Sequence, residues 1–303
     1  MALHGGFDPN TRIVLVGAGG MLGNMVAATA PPDIEIVEYD LPQMDIADIS
    51  SVSTCLHQAR PDYIINCAAL TDVDGCESQK EQALAVNAEG PGHLATIAAE
   101  IGATLLHIST DFVFAGATET PYTETDIPEP LSVYGHSKHQ GEMRVETSGL
   151  ERYFILRTSW LYGPWGKNFV ETIIRLAQER DVLKIVSDQV GTPTYSRDLA
   201  KAIWTLLDTD LYGTYHYSNE GQCSWYEFTA EIVRLLRQLE GDDCLRVGSV
   251  EPIPGSEFPQ AATRPPWSVM SKQKIKNKTG IYVPQWQESL ARYLHERQHL
   301  SGN

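Results

Sequence analysis

The 303-residue chain has no run of about 18 apolar residues, the length a helix needs to span the hydrocarbon of a bilayer. Its first residues, Met1 to Arg12, hold no apolar stretch, so no secretory leader is expected and the segment reads as a loose tail. Cysteine is sparse: Cys55, Cys67, Cys76, Cys223 and Cys244 are odd in number and form no C-x-x-C pair. This argues against a disulfide framework or a zinc site and for reduced thiols in a cytoplasmic setting. Basic residues are also few, 23 Lys and Arg against 39 Asp and Glu, giving a net charge of -16. Such a surface repels nucleic acid and anionic membrane. It still admits a phosphate ligand, which backbone amides and one local Arg can hold. Internal repeats and low-complexity linkers are missing too.

What remains is an alternation of short apolar runs and helical stretches. Ile13-Val14-Leu15-Val16 reads as a buried parallel strand, followed by a helix from Met21 to Thr29 that Pro31-Pro32 stops. Further strands are expected at Ile34–Val37, Tyr63–Ile65, Leu105–Ile108 and Tyr153–Leu156, with helices around Ile49–Gln58, Glu81–Ile101 and Lys138–Thr147. The alternation predicts an α/β fold, a Rossmann-type doubly wound parallel sheet with helices on both faces. Beyond Gly163 the pattern loosens, with helices expected at Asn168–Gln178, Arg197–Leu207, Trp225–Leu239 and Gln287–His295. A smaller C-terminal substrate-binding domain is expected there. On this reading residues 1–163 plus about 196–217 form the NAD(P)-binding domain, and about 164–195 plus 218–303 form the substrate domain.

The first strand runs into Gly17-Ala18-Gly19-Gly20-Met21-Leu22-Gly23, a G-x-x-G-x-x-G with an added glycine at position 19. Gly17 permits a tight turn, Gly19 and Gly20 let backbone approach a pyrophosphate, and Gly23 lets the helix pack close to the strand. The helix then turns its positive end toward the phosphates. Asp40 closes the second strand, where a carboxylate can accept hydrogen bonds from the adenosine ribose and would repel a 2′-phosphate. No Lys or Arg lies between Arg12 and Arg60 to offset it, so either NADH or NADPH is expected, with NADH preferred. Asp45 and Ile46 fall where the adenine edge would lie.

Tyr134-Gly135-His136-Ser137-Lys138 is a Y-x-x-x-K, which places Lys138 beside Tyr134 on one helix face. A nearby ammonium is expected to lower the phenol from its ordinary value near 10 and to bring it toward acid–base use. The fourth strand ends at Ser109-Thr110-Asp111, at the sheet edge where ligands bind. The Thr110 hydroxyl can position a substrate carbonyl there. Thr110, Tyr134 and Lys138 are therefore the expected catalytic residues, with Tyr134 and Lys138 also reaching the cofactor.

These motifs resemble the extended short-chain dehydrogenase/reductase superfamily, and the flanking words narrow the resemblance. Asn66-Cys67-Ala68-Ala69-Leu70-Thr71-Asp72-Val73-Asp74, Val86-Asn87-Ala88, Ser109-Thr110-Asp111-Phe112-Val113-Phe114 and Arg157-Thr158-Ser159-Trp160-Leu161-Tyr162-Gly163 are similar to the dTDP-4-dehydrorhamnose reductase family. So are Gly166-Lys167-Asn168-Phe169, Asp188 to Thr194, and Arg264-Pro265, and the matches run from about Ile13 to Trp286. The resemblance implies that Gly20, Met21 and Leu22 line the pyrophosphate and that Cys67, Ala68 and Ala69 pass close to the cofactor. It implies substrate contacts from Thr110, Asp111, Trp160 and Asn168, and from Arg264 to the nucleotide diphosphate. The implied reaction is reduction of the 4-keto group of a dTDP-6-deoxyhexulose.

The sequence departs from the family at Phe112, where a Tyr is usual, and at Leu70. Some members bind magnesium through glutamates at a dimer contact; this chain has Met25 and Gln287 in that region, so no metal is expected. A homodimer stays open. Two rivals also stay open: a sugar-nucleotide epimerase or dehydratase on the same fold, and a non-catalytic regulatory subunit like that of methionine adenosyltransferase. Dehydratases carry an Asp-Glu pair after the Thr, whereas here Asp111 precedes Phe112.

Overall fold

The structure is a computed structural model that describes residues 6–301 apart from Pro9 and Asp33. Six strands form one parallel sheet: β1 (Arg12–Val16), β2 (Glu35–Tyr39), β3 (Tyr63–Asn66), β4 (Thr104–Thr110), β5 (Tyr153–Thr158) and β6 (Gly213–His216). Their order across the sheet is β6-β5-β4-β3-β1-β2. Val14 stands beside Val37 of β2 and Ile64 of β3, and Thr110 stands beside Thr158. The chain leaves β1 toward β2 and returns to β3 on the other side, which opens a crevice at the carboxyl ends of β1 and β3.

The inner strands β1, β3, β4 and β5 are buried on both faces, and their residues alternate between two cores. Ile13 and Leu15 pack with Leu22, Met25 and Val26 of α1 (Met21–Ala28) and with Leu199 and Ile203 of a helix at Ser196–Leu207. Val14 and Val16 pack on the other face with Val52 and Leu56 of α2 (Ile49–Ala59) and Leu94 and Ile97 of α3 (Gly90–Ile101). Helix α4 (Val133–Thr147) follows β4 and lies beside α3. Among the described residues no helix is long and apolar enough to cross a membrane.

Residues beyond β5 build three small two-stranded pairings, Leu161–Tyr162 with Thr194–Tyr195, Val182–Val186 with Ser249–Ile253, and Val190–Gly191 with Cys223–Ser224. Helices at Phe169–Glu179, Trp225–Glu240 and Trp286–Ser301 accompany them. Ser224 and Glu227 cap the second of these reciprocally, which fixes its start. Tyr162, Tyr195, Phe228 and Tyr293 meet ring to ring at their centre.

Four local expectations are corrected. The tail lies partly outside the described residues, but Phe7 is not loose: it packs edge-on against Tyr63 and Trp204. The single helix expected at Glu81–Ile101 is broken into Lys80–Leu84, a π turn at Ala85–Glu89, and α3. Pro91 explains the break, because it has no N–H to give the carbonyl four residues back and its ring crowds that turn. Helix α4 begins five residues earlier than expected, with the Ser132 hydroxyl accepting from the Gly135 amide at 3.1 Å. Strand β6 was not expected at all, because Gly-Thr-Tyr-His offers no apolar run at the sheet's edge.

The returning helix Ser196–Leu207 is tied to the C-terminal helix through Asp198, which is 2% exposed. Its carboxylate accepts from Asn219 (2.9 Å), Ser289 (2.6 Å) and Arg292 (2.6 Å). Removing the carboxylate leaves the buried Asn219 and Ser289 donors without this acceptor, so Asp198→Ala should lower unfolding stability by about 1–3 kcal/mol in urea titrations. A loss within a few tenths of a kcal/mol would show that these bonds contribute little net stability.

Candidate active site

The glycine loop bridges β1 and α1 at the crevice. Gly17 has φ +75, and a Cβ there would stand 2.6 Å from the Ala68 amide nitrogen, so only glycine fits. A Cβ on Gly23 would lie 2.3 Å from the Gly17 carbonyl oxygen, which confirms its close helix–strand packing. Gly20 caps α1 without a side-chain hydrogen bond, so the amide end of the helix, at Met21 and Leu22, has no side-chain acceptor at the cap. These features fit a dinucleotide pyrophosphate. Asp40 faces this loop: its carboxylate accepts from the amides of Gly19 (2.8 Å) and Leu41 (2.9 Å). Asp45 is exposed and accepts from the Ala47 amide, while Ile46 is buried against Gly90 at the start of α3.

Cys67, Ala68 and Ala69 follow β3 along the same crevice. Burial pushes the Cys67 thiol up to about 12, against a smaller opposing pull from Lys138. The loop is held by Asn87 on the π turn, which sequence reasoning matched to a family word without giving it a role. Asn87 Oδ1 accepts from the Leu70 amide (2.8 Å), and Nδ2 donates to the Leu70 carbonyl (3.0 Å) and the Ser137 hydroxyl (3.1 Å). One amide thus fastens the β3 loop to α4.

Thr110, Tyr134 and Lys138 come together where β4 meets α4. The Tyr134 phenol faces Thr110, and Phe112 packs edge-on against the Tyr134 ring at 5.5 Å. Thr110 donates to Asp111 Oδ1 at 3.1 Å and accepts from the Phe112 amide at 3.2 Å. Burial raises the Asp111 carboxyl to about 6, while hydrogen bonds from Ser268 and Thr110 hold it down. The expected lowering of Tyr134 by Lys138 is not found. Burial raises the phenol above its ordinary value, the Thr110 hydrogen bond opposes this, and the Asp111 charge adds to the rise. The Lys138 ammonium is turned elsewhere, to the Ile108 carbonyl at 2.6 Å. Burial lowers Lys138 to about 8, with Glu142 and Cys67 pulling upward.

The remaining expected contacts lie on the C-terminal elements. Trp160, at φ +44, stacks on Trp225 with ring centroids 3.4 Å apart, and Gly191 leaves room for its ring. Asn168 has its side chain engaged in the protein: Oδ1 accepts from the Glu171 amide (3.1 Å) and Nδ2 donates to the Gly163 carbonyl (2.9 Å). It caps a helix and closes the loop before it. Arg264 reaches back to Asp74, donating to its two oxygens at 2.8 and 2.6 Å. The Ala262 amide donates to the same carboxylate at 2.9 Å, so Asp74 latches the 262–264 segment to the sheet domain's helix at Val73–Ser78.

The family model described as RmlD substrate binding domain matches residues 11–299. A dTDP-4-dehydrorhamnose reductase from Sinorhizobium fredii is 38% identical over 288 residues, covering 93% of this chain and 96% of the relative. The spore coat polysaccharide biosynthesis protein SpsK of Bacillus subtilis is also 38% identical, covering 95% and 98%. A crystal structure of dTDP-4-dehydrorhamnose reductase from Bacillus anthracis, in complex with NADP, superposes with a TM-score of 0.90 at 40% identity, covering 95% and 99%. The chain belongs to the dTDP-4-dehydrorhamnose reductase family. The resemblance read from its motifs and the α/β parallel-sheet fold are both borne out.

The latch has a pH signature. The Arg264 hydrogen bonds hold the Asp74 carboxyl at about 2, against an ordinary 3.8. The lowered value means that the pair contributes fully above about 3.8 and is lost as pH falls through about 2. Thermal unfolding followed from pH 5 to pH 2 should therefore decline more steeply in the native chain than in Asp74→Asn. Parallel curves would remove the latch from the acid response.

Proposed function

We propose that the chain reduces the 4-keto group of dTDP-4-dehydro-L-rhamnose to give dTDP-L-rhamnose, using NADH or NADPH, in the cytoplasm. The observation that carries this reading is the meeting of Thr110, Tyr134 and Lys138 beside an open glycine loop, in a chain of the reductase family. Gly17, Gly19, Gly20, Met21, Leu22 and Gly23 would hold the pyrophosphate, Asp40 the adenosine ribose, and Asp45 and Ile46 the adenine. Cys67, Ala68 and Ala69 would line the path to the nicotinamide, whose ribose Lys138 would hold. When bound, the cofactor supplies the hydride that reaches C4 of the sugar.

The chain's own residues position the ketone and handle the proton. Tyr134 is protonated at neutral pH, the form a donor needs, and gives its phenolic proton to the ketone oxygen as charge develops there. Thr110 hydrogen-bonds the same oxygen by turning its single hydroxyl proton from Asp111 Oδ1, which accepts it when no substrate is bound, to the ketone. Trp160 offers a flat wall to the deoxysugar. Arg264 offers its guanidinium to the diphosphate by exchanging Asp74 as partner. Asn168 serves by closing the loop behind this wall. The substrate would lie between residues 1–163 plus 196–217 and residues 164–195 plus 218–303, and the chain would work as a homodimer without magnesium.

Reduction is favoured over dehydration because Phe112 stands where a dehydratase places its second carboxylate. Asp40 favours NADH: it is fixed by the Gly19 and Leu41 amides, so it cannot swing aside for a 2′-phosphate without losing both bonds.

Tyr134→Phe should lower kcat by about 10²–10⁴-fold while cofactor affinity, read by fluorescence titration, stays within a factor of two or so. Activity equal to that of the native chain would remove Tyr134 as the acid. For the native chain, kcat/KM with dTDP-4-dehydro-L-rhamnose should be higher with NADH than with NADPH, and Asp40→Ala should narrow the ratio. A strong NADPH preference in the native chain would refute the role given to Asp40.

A further inference from the structure

Beneath Lys138 lies a layer of buried polar groups that the reaction above leaves unused. Asn66 ends β3 and His107 sits in β4, and both are fully buried. The Ala68 amide donates to Asn66 Oδ1 at 3.1 Å, which orients the side chain so that Nδ2 meets His107 Nδ1 at 3.0 Å. An amide NH₂ only donates, so Nδ1 must accept. Burial, with Lys138 adding to it, holds His107 well below its ordinary value and so neutral. A neutral imidazole that accepts at Nδ1 carries its proton on Nε2. That Nε2 stands 3.5 Å from Lys138 Nζ.

We propose that Asn66 and His107 are positioning residues for the reaction: a chain from the Ala68 amide through Asn66 to His107 locks the imidazole tautomer and turns its N–H toward Lys138. The proposal rests on the role given to Lys138 above. An N–H offers an ammonium no acceptor, so the protonated lysine is left with the Ile108 carbonyl as its fixed partner. The neutral amine gains the imidazole N–H as a donor. The tautomer therefore tips Lys138 toward ready proton exchange, in the same direction as its burial.

The other groups around Lys138 do not replace this control. Cys67, from the loop after β3, is a neutral thiol. Glu142, one turn along α4, is paired with Arg157 at 2.7 Å from β5 and held at about 2, because that pairing outweighs its burial. Tyr134 is one turn earlier on α4 and stays protonated. Asn66 donates to the imidazole and carries no charge.

Asn66→Asp tests the chain by presenting an acceptor to Nδ1. It should draw the imidazole proton to Nδ1 and turn Nε2 into an acceptor for the ammonium. In the native protein labelled with ¹⁵N-histidine, NMR should find neutral His107 protonated on Nε2. In Asn66→Asp the proton should sit on Nδ1, and the alkaline limb of the kcat/KM profile should move up by about one pH unit. The double variant Asn66→Asp/His107→Phe keeps the added charge and removes the imidazole, and its limb should not move up as far. An Nδ1 proton in the native protein overturns the proposal without any appeal to activity. An equal rise in the double variant also overturns it, because charge alone then accounts for the effect. Full activity in Lys138→Met would instead defeat the role given to Lys138 and leave the tautomer result standing on its own.

Discussion

Helix α4 sits on backbone. A Cβ on Gly135 would lie 2.3 Å from the Phe112 carbonyl oxygen, and one on Gly141 would lie 2.2 Å from the Asn87 carbonyl oxygen. Two glycines a turn and a half apart thus let the helix press against the end of β4 and against the π turn. Everything at the site depends on this approach. With α4 one side chain farther out, Tyr134 would leave Thr110 and Lys138 would leave the Ile108 carbonyl. The π turn belongs to the same constraint, since the widened backbone at Ala85–Glu89 presents Asn87 to both the β3 loop and α4.

The electrostatics follow from that close packing. Water is excluded beneath the helix, so each ionisable group there is either paired or shifted. Glu142 and Arg157 form a pair that is nearly inaccessible, with side chains 2% and 6% exposed. Lys138 has no carboxylate within bonding distance among its hydrogen-bond partners and is lowered instead. Tyr134 is raised, which keeps its proton available beside the Thr110 hydroxyl, while Asp111, raised only to about 6, is mostly ionised at neutral pH. The site therefore differs from the expectation of a phenol activated by a lysine at its side. The lysine faces the Ile108 carbonyl and the imidazole, and the phenol stays protonated.

Much of the fold was legible because its signals are local. An apolar run ending in glycines, then a helix, then another run, repeats clearly enough to give five of the six sheet strands. Strand β6 escaped because an edge strand of Gly-Thr-Tyr-His takes its identity from its neighbour β5 and not from its own pattern. The break at the π turn escaped because Pro91 was read as part of a continuous helix. Asn168 looked like a ligand-facing polar residue, but a helix start needs an acceptor there and takes its side chain first. Arg264 was placed by resemblance alone, and its partner Asp74 lies 190 residues away.

The sequence by itself determined the glycine loop, the order Thr110, Tyr134, Lys138, and the family, because each is a matter of residue type at short spacing. Only the tertiary structure decided which atoms those residues face. Spacing of four on a helix puts Lys138 on the same side as Tyr134, but it does not say where a flexible ammonium finds its acceptor. That was decided by β4, whose carbonyl at Ile108 and imidazole at His107 reach the lysine from across the sheet, at contacts 30 and 31 residues distant in the chain.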